Sequence, residues 1–139
     1  MSTWQEAAAE RLPQHRELIQ SCESVNELWA CLWAEFVQAH QQQPMDRATI
    51  AGVYDFAWWC VGQTQDDRAT TVALIDFFED LPGEPSVWDE LPKHMTREQF
   101  LGMQEIYNLG MTQSEHHRFV PHVLALFQRK GKPSKGKPL

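Results

Sequence analysis

Strand signals are missing from this sequence. No Asn-Gly or Asp-Gly pair separates alternating apolar runs, so β-hairpins are not expected. Cysteine is scarce: Cys22, Cys31 and Cys60 form an odd set with no C-x-x-C, which argues against a disulfide framework or a zinc knuckle. All three fall in apolar helical stretches and are expected as small buried hydrophobes. No run of about 20 apolar residues occurs, so no membrane span is expected. The opening MSTWQEAAAE has neither the basic nor the apolar region of a signal peptide, and a cytoplasmic location is the expectation. Glycine-rich phosphate loops, G-x-S-x-G and Cys–His nucleophile signatures are absent. No internal period points to a solenoid.

Aromatics and acids are plentiful instead. Six tryptophans and seven phenylalanines among 139 residues supply large core volume or aromatic anchors for a partner. The net charge of -7 is unevenly spread. Arg129, Lys130, Lys132, Lys135 and Lys137 hold five of the twelve positive charges, leaving seven against nineteen acids in residues 1–128, near -12. A body that acidic argues against nucleic acid, because phosphate contacts need a basic surface. It favours a basic protein partner.

Helix signals recur along the chain. TWQEAAAERL is a good helix former, and Pro13 either kinks it or opens a second helix at PQHRELIQSC. Ser24 and Glu27 have capping-box spacing. Behind them Val25, Leu28, Trp29, Leu32, Trp33, Phe36 and Val37 follow the amphipathic rule. Asp46 is the expected N-cap of RATIAGVYDFAWWCVGQ, whose apolar residues cover most of the helix circumference. This aromatic-rich segment, about 47–63, reads as the central helix. Asp66 or Asp67 opens RATTVALIDFFEDL, read as one helix with Leu74, Ile75, Phe77, Phe78 and Leu81 inward and Asp76, Glu79 and Asp80 opposite. Pro85 starts one short helical turn ended by Pro92. Thr96 with Gln99, and Thr112 with Glu115, repeat the capping-box spacing, Gly110 fits a C-terminal cap, and Pro121 is expected to kink or split the last helix. The fold class is therefore all-α: an irregular bundle of about six or seven helices, or stacked helical pairs, joined by short connections. Residues 1–128 are read as a single helical domain and 129–139 as a basic disordered tail.

Candidate chemistry is sparse. His116, His117 and His122 cluster in EHHRFVPH, but two histidines four apart with an adjacent glutamate, as zincins require, are lacking. No histidine lies three residues after a glutamate, so a di-iron bundle is also excluded. No metal and no cofactor is expected, nor an enzyme, because no convergent acid, base and nucleophile can be named. Asp55 sits among aromatics one turn from Trp59. It is expected to be partly desolvated and hydrogen-bonded between helices, or else to anchor a small-molecule pocket with Trp58, Trp59 and Trp33. Asp76, Glu79, Asp80, Glu84, Asp89 and Glu90 surround Trp88 in a proline-bounded stretch. That pattern suits a partner-binding surface with Trp88 as its hot spot, or a Trp88 tucked into the core.

The order YDFAWWC, then ATTVALIDFFEDLP, then a proline-rich link and MTREQF, resembles small all-helical bacterial proteins without assigned catalytic residues, over roughly residues 45–120. Some of those look like immunity proteins of bacterial toxin systems. The resemblance implies a small, acidic, non-enzymatic cytoplasmic binder whose partner is a basic toxin. A helical small-molecule-binding domain is the alternative.

Overall fold

A computed structural model describes residues 3–63, 67–109 and 113–131, with the side chains of 67, 113–116, 130 and 131 outside that description. Among the described residues every regular element is helical. α1 (Trp4–Arg11) is capped by Thr3, whose hydroxyl accepts from the Glu6 amide while Glu6 accepts from the Thr3 amide. Thr3 and Glu6 thus form a full capping box, which satisfies two otherwise orphaned donors. Leu12 ends α1, a 3₁₀ turn follows over Pro13–His15, and α2 covers Arg16–Ser21. Pro13 therefore separates two helices.

α3 (Val25–Gln41) is capped by Ser24, which accepts from the Glu27 amide. The Glu27 carboxylate reaches one residue further back, to the Glu23 amide, so the box is only half formed. Its expected stripe is inward: Val25, Leu28, Trp29, Leu32 and Phe36 are buried, and Trp33 and Val37 half-buried. α4 (Arg47–Val61) is capped by Asp46 as the sequence suggests. The Thr49 hydroxyl donates to the second Asp46 oxygen and accepts from Gln14, with His15 Nε2 3.0 Å away. This network ties the 3₁₀ turn after α1 to the start of α4.

Gly52 explains how close those helices come. A Cβ there would stand 2.5 Å from the Arg11 carbonyl oxygen and 2.6 Å from a Leu12 methyl. With Ala7 and Ala8 fully buried, α1 seats on α4 backbone to backbone.

α5 (Asp67–Ala73) does not continue as an α-helix. Leu74–Phe78 forms a π turn, closed by the Glu79 amide on the Leu74 carbonyl at 3.0 Å. The expected single helix is corrected here, for a packing reason. The wider turn lets two consecutive phenylalanines face inward: Phe77 meets Trp29, Trp33, Phe36 and Tyr54, and Phe78 meets Trp58. Ile75, expected inward, is displaced to the surface and is 40% exposed.

A 3₁₀ turn at Leu81–Gly83 leads to a 3₁₀ segment, Pro85–Lys93, that runs through Pro92 rather than stopping at it. α6 (Arg97–Gly102) has a complete Thr96–Gln99 capping box, α7 spans Gln104–Leu109, and α8 spans Gln113–Gly131. Pro121 lies inside α8, which is one helix and not two. α8 also passes the expected boundary at 128, running on to Gly131. The remainder of the expected tail, 132–139, lies outside the described residues, as do Asp66, Gly110 and Thr112.

α3 and α4 form the centre, with α1, α5 and the π turn around them. α6, α7, α8 and the 3₁₀ segment gather a second aromatic group, Trp88, Phe100, Tyr107, Phe119 and Phe127. Among the described residues no helix is long and apolar enough to cross a membrane.

Candidate functional site

The residues of the acidic stretch divide into two environments. Asp76 and Glu79 are half-buried and Asp80 is exposed, all on the π turn or just after it. No lysine, arginine or histidine among the described residues forms an ion pair with any of the three. Burial raises the Asp76 carboxyl above the ordinary aspartate range. Burial, then the charges of Glu79 and Asp76, raise Asp80. Both shifts mean that the carboxylates are held where charge is disfavoured. Ile75 adds an exposed apolar side chain on the same turn.

Glu90 is different and does not belong to an exposed face. Its side chain is 9% exposed and binds Arg47 at 2.8 Å and Lys93 at 3.1 Å, with His94 Nε2 at 3.9 Å. Burial alone would raise its pKa. The Lys93 hydrogen bond and charge, with Arg47 and His94, outweigh that and hold it below the usual range. Glu90 thus joins the 3₁₀ segment to the start of α4.

Trp88 is also buried, at 6% exposure, so it is not an exposed anchor. Its indole N–H donates to the Leu81 carbonyl at 3.0 Å, its ring meets Phe119 edge-on, and Arg118 lies 6.0 Å above it. Trp88 pins the connector to α8. Asp89 is exposed and pairs with His122 Nε2 at 2.8 Å. Glu84 is half-buried and accepts from Ser86. Asp89–His122 has the base-and-orienter chemistry of a hydrolytic dyad, but the hydroxyl of Ser86, three residues before Asp89, is committed to Glu84 at 2.7 Å.

Asp55 is exposed, which corrects the expected buried inter-helix hydrogen bond. Among the described residues no ion pair holds it, although the end of α1 lies beside it. It lines an open depression of about 590 Å³ with Trp58, Trp59, Glu10 and Arg11. Trp33 is not part of this depression. It packs against Phe36 and Phe77 on the α3 side. Glu10 and Arg11 had no signal of their own in the sequence; Gly52, a glycine within a helical run, was the only hint that another backbone passes there.

One buried polar cluster was not anticipated at all. Tyr54 stacks on His94 with ring centres 4.7 Å apart, and His40 Nδ1 meets the Phe36 carbonyl at 2.8 Å. The far nitrogen of His40, Nε2 of His94 and the Tyr54 hydroxyl are buried without a hydrogen-bond partner among the described residues. Burial holds both imidazoles below the ordinary histidine range, so they are neutral at pH 7. Burial likewise pushes the Tyr54 phenol well above its usual value. Among the described residues no three histidine, cysteine, aspartate or glutamate side chains come together as a metal site.

Among the described residues the fold is thus all-helical, with an acidic turn that has no counter-charge and a depression walled by Trp58 and Trp59. No protein-family model, no curated protein and no solved structure matches the chain.

Proposed function

We propose that this chain is a non-catalytic binding protein whose acidic π turn engages a basic protein partner, with neutralisation of a basic toxin as the concrete form. The observation that carries this reading is the lack of any counter-charge for Asp76, Glu79 and Asp80 among the described residues. Three carboxylates crowded together and partly desolvated cost the free protein stability. A lysine- or arginine-rich surface would relieve that cost on binding, and Ile75 would add apolar contact. π turns recur at functional positions because they displace side chains from the regular helical register.

The test is a paired pull-down from the source organism's lysate. Wild type is compared with Asp76→Lys/Glu79→Lys/Asp80→Lys, and the retained protein is then purified and its binding measured directly. The reading expects a basic protein that binds wild type, is lost from the variant, and weakens steeply with salt. Equal binding by a folded variant would remove the π turn from consideration.

A further inference from the structure

We infer that the depression between α1 and α4 is a binding site for a small organic cation, carrying a primary or quaternary ammonium group. The inference deepens the pocket reading of Asp55, Trp58 and Trp59 and does not depend on the acidic π turn. Its volume, about 590 Å³, falls in the range of small-molecule sites. Two indoles form its wall. Both are half-buried, so their rings are braced yet accessible: Trp58 packs against Phe78 at 4.9 Å and Trp59 stacks on Phe56 at 5.9 Å. A tryptophan face is the best aromatic surface for a cation, because its quadrupole places negative charge above the ring.

The charges at the rim point the same way. Asp55 and Glu10 supply two carboxylates, Arg11 one guanidinium. Arg11 is folded back along its own helix: Nη1 donates to the Ala7 carbonyl at 3.0 Å and lies 3.7 Å from Glu10. Asp55 is left with no cation among the described residues, and the depression is net negative. An ammonium group resting on the indoles and facing Asp55 satisfies both features. An anion would meet Asp55 and Glu10 directly, and a purely apolar ligand would leave Asp55 without a counter-charge.

The contrast with a second depression sharpens the choice. The hollow of about 640 Å³ lined by Pro85, Trp88, Asp89, Arg118, Pro121 and His122 also contains a tryptophan and an acid. There the indole face is already covered by Arg118 and the acid is already paired with His122. Of the two, the α1–α4 depression offers both groups unoccupied.

The experiment uses the full chain labelled with ¹⁵N at tryptophan. The indole resonances of Trp58 and Trp59 are assigned from the Trp58→Phe and Trp59→Phe variants. n-Butylammonium and tetramethylammonium chloride are titrated in turn, with 1-pentanol, sodium chloride and sodium acetate as controls. Saturable shifts of these two resonances are expected with the ammonium ions alone. Asp55→Asn should weaken the affinity by up to about fivefold, as loss of one exposed ion pair does. Trp59→Leu should weaken it by a similar factor, about fivefold. Asp55 is exposed and makes no hydrogen bond, so Asp55→Asn should fold normally, and circular dichroism checks this. A short acetylated lysine peptide then separates the sources. Tighter binding of the peptide than of n-butylammonium assigns the site to a partner's side chain, whereas equal or weaker binding assigns it to a free amine. The charge-reversed π-turn variant should keep its ammonium affinity, so failure of one site is distinguishable from failure of the other. The inference is overturned if 1-pentanol or acetate shifts the same resonances equally, if neither ammonium ion gives saturation, or if Asp55→Asn binds as wild type does.

Discussion

Glu90 is buried beside Arg47 and Lys93, whereas Asp76, Glu79 and Asp80 stand without a cation among the described residues. Both sets belong to one acidic stretch of sequence, yet their shifts run in opposite directions. The cations hold the Glu90 carboxyl low, while burial holds Asp76 high and burial, with the charges of Glu79 and Asp76, holds Asp80 high. A low carboxylate pKa stabilises the folded state at neutral pH and a high one destabilises it. The comparison separates acid that serves the fold from acid that the fold merely tolerates.

The largest test removes the first kind. Glu90→Ala should lower unfolding stability by about 2 kcal/mol in urea titration, since it strands Arg47 and Lys93 and opens the α4 contact. That figure is set below the range for fully buried pairs because Arg47 and Lys93 are themselves 61% and 56% exposed. If Glu90→Ala is as stable as wild type, the distinction between the two regions collapses.

The second test removes the other kind. Asp76→Asn/Glu79→Gln/Asp80→Asn should raise stability at pH 7, by a few tenths to about 1 kcal/mol, because it relieves repulsion without breaking a pair. A marked loss in the same titration would mean that these carboxylates serve the fold after all.

pH sharpens the contrast further. His40 and His94 are depressed below the ordinary histidine value of 6.5, so their contribution is complete above that pH and is lost as the pH falls below it. Glu90 is depressed below 4.5, so its contribution goes next, as the pH falls from there through its folded value. Asp76 and Asp80 act with the opposite sign, their cost fading as they take up protons on the way down to 3.8. The stability advantage of the triple neutral variant over wild type should therefore shrink on acidification. Urea midpoints measured at half-unit pH steps for both proteins would show whether it does.

The smallest effect is expected at Asp89. His122→Ala breaks an exposed pair and should change stability by no more than about 0.5 kcal/mol. A larger loss by thermal denaturation would place Asp89 with Glu90 among the structural acids.

Much of the helical layout was legible because it is written locally. Ser24, Asp46 and Thr96 each sit directly before an apolar-periodic run and cap it through their own side chains. The α3 stripe needed only a regular 100° step. The same step failed at Leu74–Phe78, because adjacent Phe77 and Phe78 both demand burial and the backbone widens to provide it. The sequence leaves Trp88 open between surface and core, and misplaces Glu90, for a related reason. In a short 3₁₀ segment no periodicity says which side faces the core, and their partners, Leu81, Phe119 and Arg47, come from three other parts of the chain. Asp55 was placed correctly among tryptophans, but its exposure depends on where α1 stops, which the α4 sequence does not record.

Gly52 has a consequence for the dimensions of the depression above it. The contact of its bare Cα with the Arg11 carbonyl is the gauge that sets the spacing of α1 and α4. One methyl group would act as a shim, prising the helices apart and carrying Glu10 and Arg11 away from Asp55 and the two indoles. The cleft's width is in this sense written in a hydrogen atom, at a position that never touches whatever the cleft holds.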